Sequence, residues 1–485
     1  GSMPEDHDIR IVRLAASSRR GSVIAAAGCG KTEQIVRATH ISEGRRLILT
    51  HTHAGVDALR LRLEKRRVPK DKFRVDTIAG WCLRYAASFP KRSGLTCDTP
   101  REHDEWNAVY ESAATLISGG AVKDVLAPSY SGVFVDEYQY CTCLQHQVIK
   151  AIAAYLPVCV CGDHLQAIFD FRGQRPVDWD AEVFPFFGKI GELNTPWRWK
   201  NAGNEELARW LADARRVLYS GGALDLNIRP RCVAWQNLPN DHRNRQATVV
   251  GTCKTVMGRA QEGRVVVIGD SANINMRVAL AQKLATAGFS NVEPIGGKTI
   301  YNYAEKLERA TGFGRLEVIV DIICACMTGG EKTAFLESVR SHQGGRKRGV
   351  AKFGDLITTG AAIAQGAADE TLIALMDGFH GWRNTRLFRR EMFFSMRSAL
   401  QIISARRDTP LMDAIWEVQN RIRHSGRITG KRSIGSTLLV KGLEFDHSVI
   451  VHADNMTRKE WYVALTRATS SVTILSPSQC LDPTT

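Results

Sequence analysis

The sequence predicts an α/β protein built on two doubly wound parallel sheets, with a mostly helical insertion in the second. Three observations predict it. An apolar run, Val23 to Ala27, turns through Gly28 and Gly30 into Lys31-Thr32 and an amphipathic run, Glu33 to Thr39. Short apolar strands then alternate with helical stretches from about residue 22 to 200, the pattern of a parallel sheet. The same strand-and-site pattern returns at 264–270 and 436–475, on either side of a mostly helical stretch over 300–430. The division expected is residues 1–190 for the first sheet, with a small insertion at about 94–130. Residues 191–290 plus 431–485 form the second sheet, and 291–430 the helical insertion.

The first element is a strand–turn–helix of the form A-x-A-G-x-G-K-T, with Ile24 where the general motif has its first glycine. The glycines let backbone N–H groups curl around phosphate, Lys31 adds a cation, and the Thr32 hydroxyl can hold Mg²⁺. Residues 8–20 carry no strong signal. Arg46–Thr50 reads as a strand, followed by Thr50-His51-Thr52-His53 and a helical run, Val56 to Leu63. The two histidines have no third ligand nearby and read as polar side chains at the lip of a sheet. Phe73–Thr77 is a strand, 78–88 a helix, 90–103 loop-rich and Glu105–Ile117 a helix.

Gly132-Val-Phe-Val-Asp136-Glu137 is a buried strand ending in two acids. At the carboxyl end of a parallel strand, Asp136 can hold Mg²⁺ through water, and Glu137 can orient or deprotonate an attacking water. An acidic helix cap is the alternative. A helix follows over 144–155, then the strand Val158–Gly162 with Asp163. Beyond it stand Gln166, Phe169, Phe171 and Arg172, placed where aromatics stack bases of single-stranded nucleic acid or simply fill a core. Glu192 to Arg198 opens a new unit. Residues 201–218 read as a helix, 220–262 as irregular, 264–270 as a strand and 276–287 as a helix. Near the end, Lys441-Gly-Leu-Glu444-Phe445 leads into a strand at 448–451. Glu460 to Ala468 is helical and carries Arg467, and 471–475 closes as a strand.

Composition narrows the partners. Among 485 residues, Lys+Arg is 65 against Asp+Glu 50, a formal charge of +15 that points to a polyanion, nucleic acid first. The basic loops 346–348 and 383–390 could face solvent or phosphate. No apolar run reaches the ~18–20 residues of a membrane span and no signal peptide opens the chain, so a cytoplasmic protein is expected. Gly1-Ser2 ahead of Met3 reads as a cloning remnant. The twelve cysteines include three C-x-C pairs, 141/143, 159/161 and 324/326, which read as reduced thiols packed as small hydrophobes rather than as metal ligands.

Taken in order, these segments resemble the motif set of the UvrD-like superfamily 1 helicases, over most of 22–200, 263–290 and 435–475. Ala25–Thr32 resembles the first motif. Thr50–Arg62 and Thr77-Ile-Ala-Gly-Trp81 resemble the two DNA-contacting motifs after it. Asp136-Glu137-Tyr138-Gln139 is similar to the D-E-x-Q box, and Gly162 to Gly173 to G-D-x-x-Q-x-I-x-x-F-R-G. Trp197-Arg198 sits where the family has N-Y-R. Lys441–Phe445 and Tyr462–Ala468 resemble K-G-L-E-[FW] and Y-V-A-x-T-R-A. The resemblance implies two RecA-like sheets with ATP between them, Mg²⁺, and 3′→5′ movement on single-stranded DNA. It places nucleotide on Ala27, Gly28, Cys29, Gly30, Lys31, Thr32, Glu33 and Arg37, with Trp197 stacking on adenine and Glu444 at the ribose. It makes Gln166 the γ-phosphate sensor and Arg198 and Arg467 arginine fingers, alongside Lys31, Asp136 and Glu137. It assigns DNA contact to Thr50, His51, His53, Thr77, Phe169, Phe171 and Arg172.

Four departures stand out. No glutamine precedes Gln34 to read adenine, Tyr140 replaces an acid, His51 an aromatic, and Ala79 a histidine. With small insertions and no tail after the last strand, weak or partner-dependent unwinding is expected. The compact form resembles the helicase subunit of Gabija anti-phage systems, which works beside an OLD-family nuclease. That resemblance implies an alternative role, a nucleotide- and DNA-sensing subunit that gates a partner nuclease.

Overall fold

Strands lying inside a parallel sheet are covered on both faces, so they must be apolar almost without interruption. Leu47, Ile48 and Leu49 meet this, as do Val133, Phe134 and Val135, and Val265 to Ile268, all at most 1% exposed. The computed structural model describes residues 4–100, 102–168, 174–260, 262–425 and 429–483. It contains two six-stranded sheets, each parallel throughout, in an α/β fold.

The first sheet consists of β1 (Arg20–Ala25), β2 (Arg46–Thr50), β3 (Phe73–Thr77), β4 (Gly132–Val135), β5 (Val158–Gly162) and β6 (Gly188–Leu193). Its order is β3-β2-β4-β5-β1-β6. β4, β5 and β1 are therefore neighbours, and the glycine turn, the Asp136-Glu137 pair and Asp163 leave the sheet side by side at its carboxyl edge. The second sheet consists of β7 (Val233–Asn237), β8 (Val265–Ile268), β9 (Ser290–Asn291), β10 (Arg432–Gly435), β11 (Phe445–Val451) and β12 (Ala468–Ser476). Its order is β9-β10-β8-β11-β12-β7. The chain leaves this sheet after β9 and returns at β10. Between them it forms helices from Lys298 to Ser425 around a separate core that includes Leu316, Ile319, Phe335, Phe379 and Phe393.

Helix starts follow local capping. Thr52 and Thr77 accept from the N–H groups of Gly55 and Gly80. Thr142 with Gln145, and Thr457 with Glu460, form reciprocal capping boxes.

Two stretches differ from expectation. Residues Pro4–Ser17 are a helix. Its buried side chains, Asp8, Ile11, Val12 and Ala15, do follow helical spacing, but an aspartate in the stripe hides the apolar period. It packs with Ile35, Val36 and Ala38 of the helix Lys31–Ile41. The described residues of 220–262 are not irregular. They hold β7, an edge strand with only Val233 buried, and the helix His242–Arg259, whose buried face is just Val249, Thr252, Cys253 and Val256. An edge strand and a thinly covered helix carry little hydrophobic signal. Among the described residues, no helix is long and apolar enough to cross a membrane. Cys141, Cys159, Cys161 and Cys326 are buried free thiols.

Candidate active site

The glycine turn between β1 and the helix Lys31–Ile41 places Gly28 and Gly30 in the left-handed region, at φ 70° and 74°. A Cβ on Gly28 would lie 2.7 Å from the Trp199 ring and 2.8 Å from Cβ of Arg198, so only glycine fits. Gly30 ends the turn without a side-chain cap, which leaves the first-turn N–H groups of an 11-residue helix for an anion.

Beneath this turn the first-sheet residues hold one another. Lys31 Nζ donates to Glu137 Oε2 at 2.7 Å, and Thr32 Oγ1 donates to Asp136 Oδ2 at 3.1 Å. Burial opposes the charge on Lys31, but Glu137 and Asp136 outweigh it and raise its pKa. Burial raises the pKa of Asp136, with Lys31 opposing and Glu137 adding to the rise. Glu137 is half-buried, and although desolvation opposes its charge its pKa falls, because Lys31 bonds it directly and Gln139 donates to it. Glu137 takes φ +55°, rare for a residue with a side chain, and its N–H donates to Asp136 Oδ1 at 2.8 Å. The oxygen donors of Thr32 and Asp136 form a compact hard-ligand pair that fits Mg²⁺.

The second-sheet residues approach from the opposite side. Arg198 donates to the Thr466 carbonyl at 2.9 Å and to Glu444 Oε1 at 2.5 Å. Arg467, 1% exposed, donates to the Val463 and Leu443 carbonyls. Its Nη2 also reaches Gln166 Oε1 of the first-sheet side at 3.4 Å. Burial, then Arg198 nearby, lowers the Arg467 pKa to about 10. Gln166 is held by donation to Asp163 Oδ2 at 3.0 Å. Trp197 lies against Gly30 with Lys200 over its ring at 4.9 Å, and its Nε1 donates to Asp8 Oδ2 at 3.2 Å. Asp8 is fully buried, and its second oxygen has no hydrogen-bond partner among the described residues. Glu33 is engaged by Arg66 at 2.5 Å, with Arg37 at 3.5 Å. Cys29 is buried, and burial followed by Asp163 raises its thiol pKa to about 12.

A latch between the two sides escaped the sequence reading. Arg215, on the helix Glu205–Tyr219, donates to both oxygens of the fully buried Asp163, at 2.8 and 2.9 Å. The same guanidinium lies 5.1 Å from the Tyr462 ring centroid, and Tyr462 Oη accepts from the Ala27 N–H at 3.0 Å. Lys441 adds a second link, over the Tyr140 ring at 4.4 Å and on the Ile168 carbonyl at 3.1 Å. Tyr140, which replaces an acid, thus offers a π face to a cation. Nothing in the spacing of Arg215 marks it, since it is one of several basic residues on an amphipathic helix.

Of the residues assigned to DNA, Thr50 and Thr77 end β2 and β3, and His51 and His53 follow β2. Thr50 and Thr77 are buried, and the Thr77 hydroxyl caps its helix. His53 begins the helix His53–Lys65 and is exposed. His51 is half-buried beside Tyr140 and Cys141, and burial, only partly offset by Glu137, lowers its pKa to about 4. Phe169, Phe171 and Arg172 lie outside the described residues.

Comparison with known proteins bears on one part of this wall. Residues 105–178 match the UvrD/REP helicase N-terminal domain. That span carries Asp136, Glu137, Asp163 and Gln166. No curated protein matches the chain. Among solved structures, an arterivirus nonstructural protein 10 helicase with DNA aligns at TM-score 0.36 and 11% identity, over 97% of this chain and 63% of that one. A crystal structure of arterivirus nonstructural protein 10 gives 0.31, 10%, 97% and 62%, and the PRRSV helicase gives 0.33, 11%, 97% and 54%. The chain therefore spans less than two thirds of the length of these structures, and residue roles do not transfer at this level of likeness.

Proposed function

We propose that the protein is a DNA-stimulated ATPase that moves 3′→5′ along single-stranded DNA in the manner of UvrD-like helicases. The observation that carries this reading is the convergence of two groups on one cleft. Lys31, Thr32, Asp136, Glu137 and Gln166 line one wall, Arg198 and Arg467 the other, and Arg467 reaches Gln166 at 3.4 Å. Phosphoryl transfer needs positioning and charge rather than covalent chemistry. In this reading the glycine turn and Lys31 bind the phosphates of ATP. Mg²⁺, held by Thr32 and Asp136, supplies charge neutralisation at the phosphate oxygens. Lys31 exchanges Glu137 for phosphate, which frees the carboxylate to take a proton from the attacking water. Arg198 and Arg467 offset the charge that develops, so turnover depends on closure of the two walls. Trp197 stacks on the base, and Glu444 meets the ribose. His51, His53, Phe169, Phe171 and Arg172 contact DNA, the buried Thr50 and Thr77 support the carboxyl edge of the first sheet from within, and the site of action is the cytoplasm.

ATP hydrolysis measured with and without single-stranded DNA, with Lys31→Ala as control, tests this. Strong stimulation that vanishes in the variant supports the motor, and a flat, low rate with DNA overturns it. The contact between Tyr462 and the Ala27 N–H favours a second reading, because a P-loop donor is held by the opposite wall. There the nucleotide state gates a partner nuclease of the OLD family, as in an anti-phage complex. Co-purification with a nuclease whose activity changes in Arg467→Ala would support that reading.

A further inference from the structure

Away from the cleft, a cavity of about 850 Å³ lies where the edge of the second sheet meets the helical insertion. Its walls come from β9, the start of β10, the turn before Arg390, the helix Arg390–Ala405 and the end of the helix Leu411–Ser425. Five cations line it from three stretches of chain, Arg386 and Arg390, Arg421, and Lys431 and Arg432, and of these Arg421 pairs with Glu417 at 3.3 Å. The other four have no carboxylate within ion-pair distance among the described residues. Nearby, by contrast, Arg389 pairs with Glu293 at 2.7 Å, Arg397 with Asp377 at 2.6 Å and Arg406 with Glu417 at 2.6 Å. The acid in the lining, Glu391, already accepts from the Glu293 N–H at 2.9 Å.

Two of the guanidinium groups are fixed by backbone rather than by counter-charge. Arg386 Nη1 donates to the carbonyls of Arg383 and Thr385, both at 2.7 Å, and Arg432 Nη1 to that of Ala287 at 2.5 Å. Each keeps its remaining N–H groups for a ligand. Arg390 lies 4.8 Å from the Phe394 ring centroid, and His380 stands 5.5 Å from the same ring. Like charges gathered in a concavity repel one another unless an anion occupies it. The volume is that of a small-ligand pocket, and aromatic rings beside the cations suit a planar base.

We infer that this cavity is a second nucleotide site, distinct from the P-loop, which takes a phosphate-bearing nucleotide. The ligand is either a free nucleotide or the phosphorylated end of a DNA strand. The phosphates lie on Arg386, Arg390, Lys431 and Arg432, and the base lies toward Phe394 and His380. The site stands on its own lining and does not depend on the ATPase reading.

Calorimetric titration of the Lys31→Ala chain with ADP, inorganic pyrophosphate and 5′-phosphorylated (dT)₄ tests it. ADP is expected to bind with one-to-one stoichiometry and more tightly than pyrophosphate, with affinity that falls as salt rises. The double variant Arg390→Gln/Lys431→Gln should weaken ADP binding at least tenfold. Both side chains are exposed, and neither donates a hydrogen bond to the protein among the described residues, so the fold is expected to survive. In a chain with Lys31 intact, the same pair should lower ADP stoichiometry from two to one. Competition of ADP by 5′-phosphorylated but not unphosphorylated (dT)₄ identifies a strand end as the source, and no competition identifies a free nucleotide. Absence of saturable binding to the Lys31→Ala chain, or ADP binding unchanged by the double variant, overturns the site.

Discussion

On the first-sheet wall of the cleft, Lys31 and Thr32 after β1 hold Asp136 and Glu137 after β4, across the intervening β5 of one sheet. On the second-sheet wall, Arg467, Tyr462 and Arg215 are held partly by atoms of the opposite wall, namely Gln166, the Ala27 N–H and Asp163. The first wall is a chemical unit that any parallel sheet with this motif order can make. The second is set by docking, so its residues report on how the walls sit. The difference teaches that chemistry and coupling are separable here, and mutations should separate them.

The largest effect is expected on the first wall. Under the proposed function each of Lys31 and Glu137 acts on the reacting phosphate or water, so Lys31→Ala or Glu137→Gln should lower DNA-stimulated ATP hydrolysis by roughly 10²–10⁴-fold. Denaturant melts should show them far less damaging to the fold than to turnover. If stability and turnover fell together, the first wall would not be the self-contained unit described.

Next comes the latch. Arg215→Leu leaves the Asp163 carboxylate buried without its cation, which costs about 3–5 kcal/mol of stability. Asp163→Asn/Arg215→Leu should recover a good part of that loss, because no unpaired carboxylate remains. Urea melts of the two variants read this directly. Equal melts would show that the pair does not couple the walls.

An acid titration probes the scaffold behind the first wall. His146 is buried, with its Nδ1 2.6 Å from Tyr138 Oη, and burial followed by Lys150 lowers its pKa to about 4. The folded chain therefore keeps it neutral, while the unfolded chain protonates it near pH 6.5. Stability is full above that pH and is lost as pH falls toward 4, by about 1–3 kcal/mol from this group. A His146→Leu variant should show a flatter stability profile between pH 6.5 and 4 in urea melts.

The smallest expected effect is at Tyr462. Tyr462→Phe removes the acceptor of the Ala27 N–H, a bond worth about 1 kcal/mol. That N–H is then free for phosphate, and ATP should bind a few-fold more tightly in equilibrium titration. Weaker binding would show that Tyr462 supports the nucleotide rather than competes with it.

The sequence by itself determined the α/β class, the two parallel sheets, the helical insertion and the first wall. Val133-Phe-Val-Asp136-Glu137 could be read because an unbroken apolar run ending in acids has few other uses than an inner parallel strand with its site at the carboxyl edge. The glycines, Lys31 and Thr32 could be read for the same reason, as local backbone chemistry confined to a few residues. That they meet was decided by the strand order, which sets only β5 between β1 and β4.

Tertiary structure alone decided the rest. The helix Pro4–Ser17 was hidden because Asp8 interrupts its stripe, and Asp8 has a place there only because Trp197, far along the chain, donates to it. Strand β7 and the helix His242–Arg259 were hidden because an edge strand and a thinly buried helix need few apolar residues. The Asp163–Arg215–Tyr462 latch had no local signature at all. Its members are separated by 52 and 247 residues, and what joins them is burial of a charge that only a folded neighbour can neutralise.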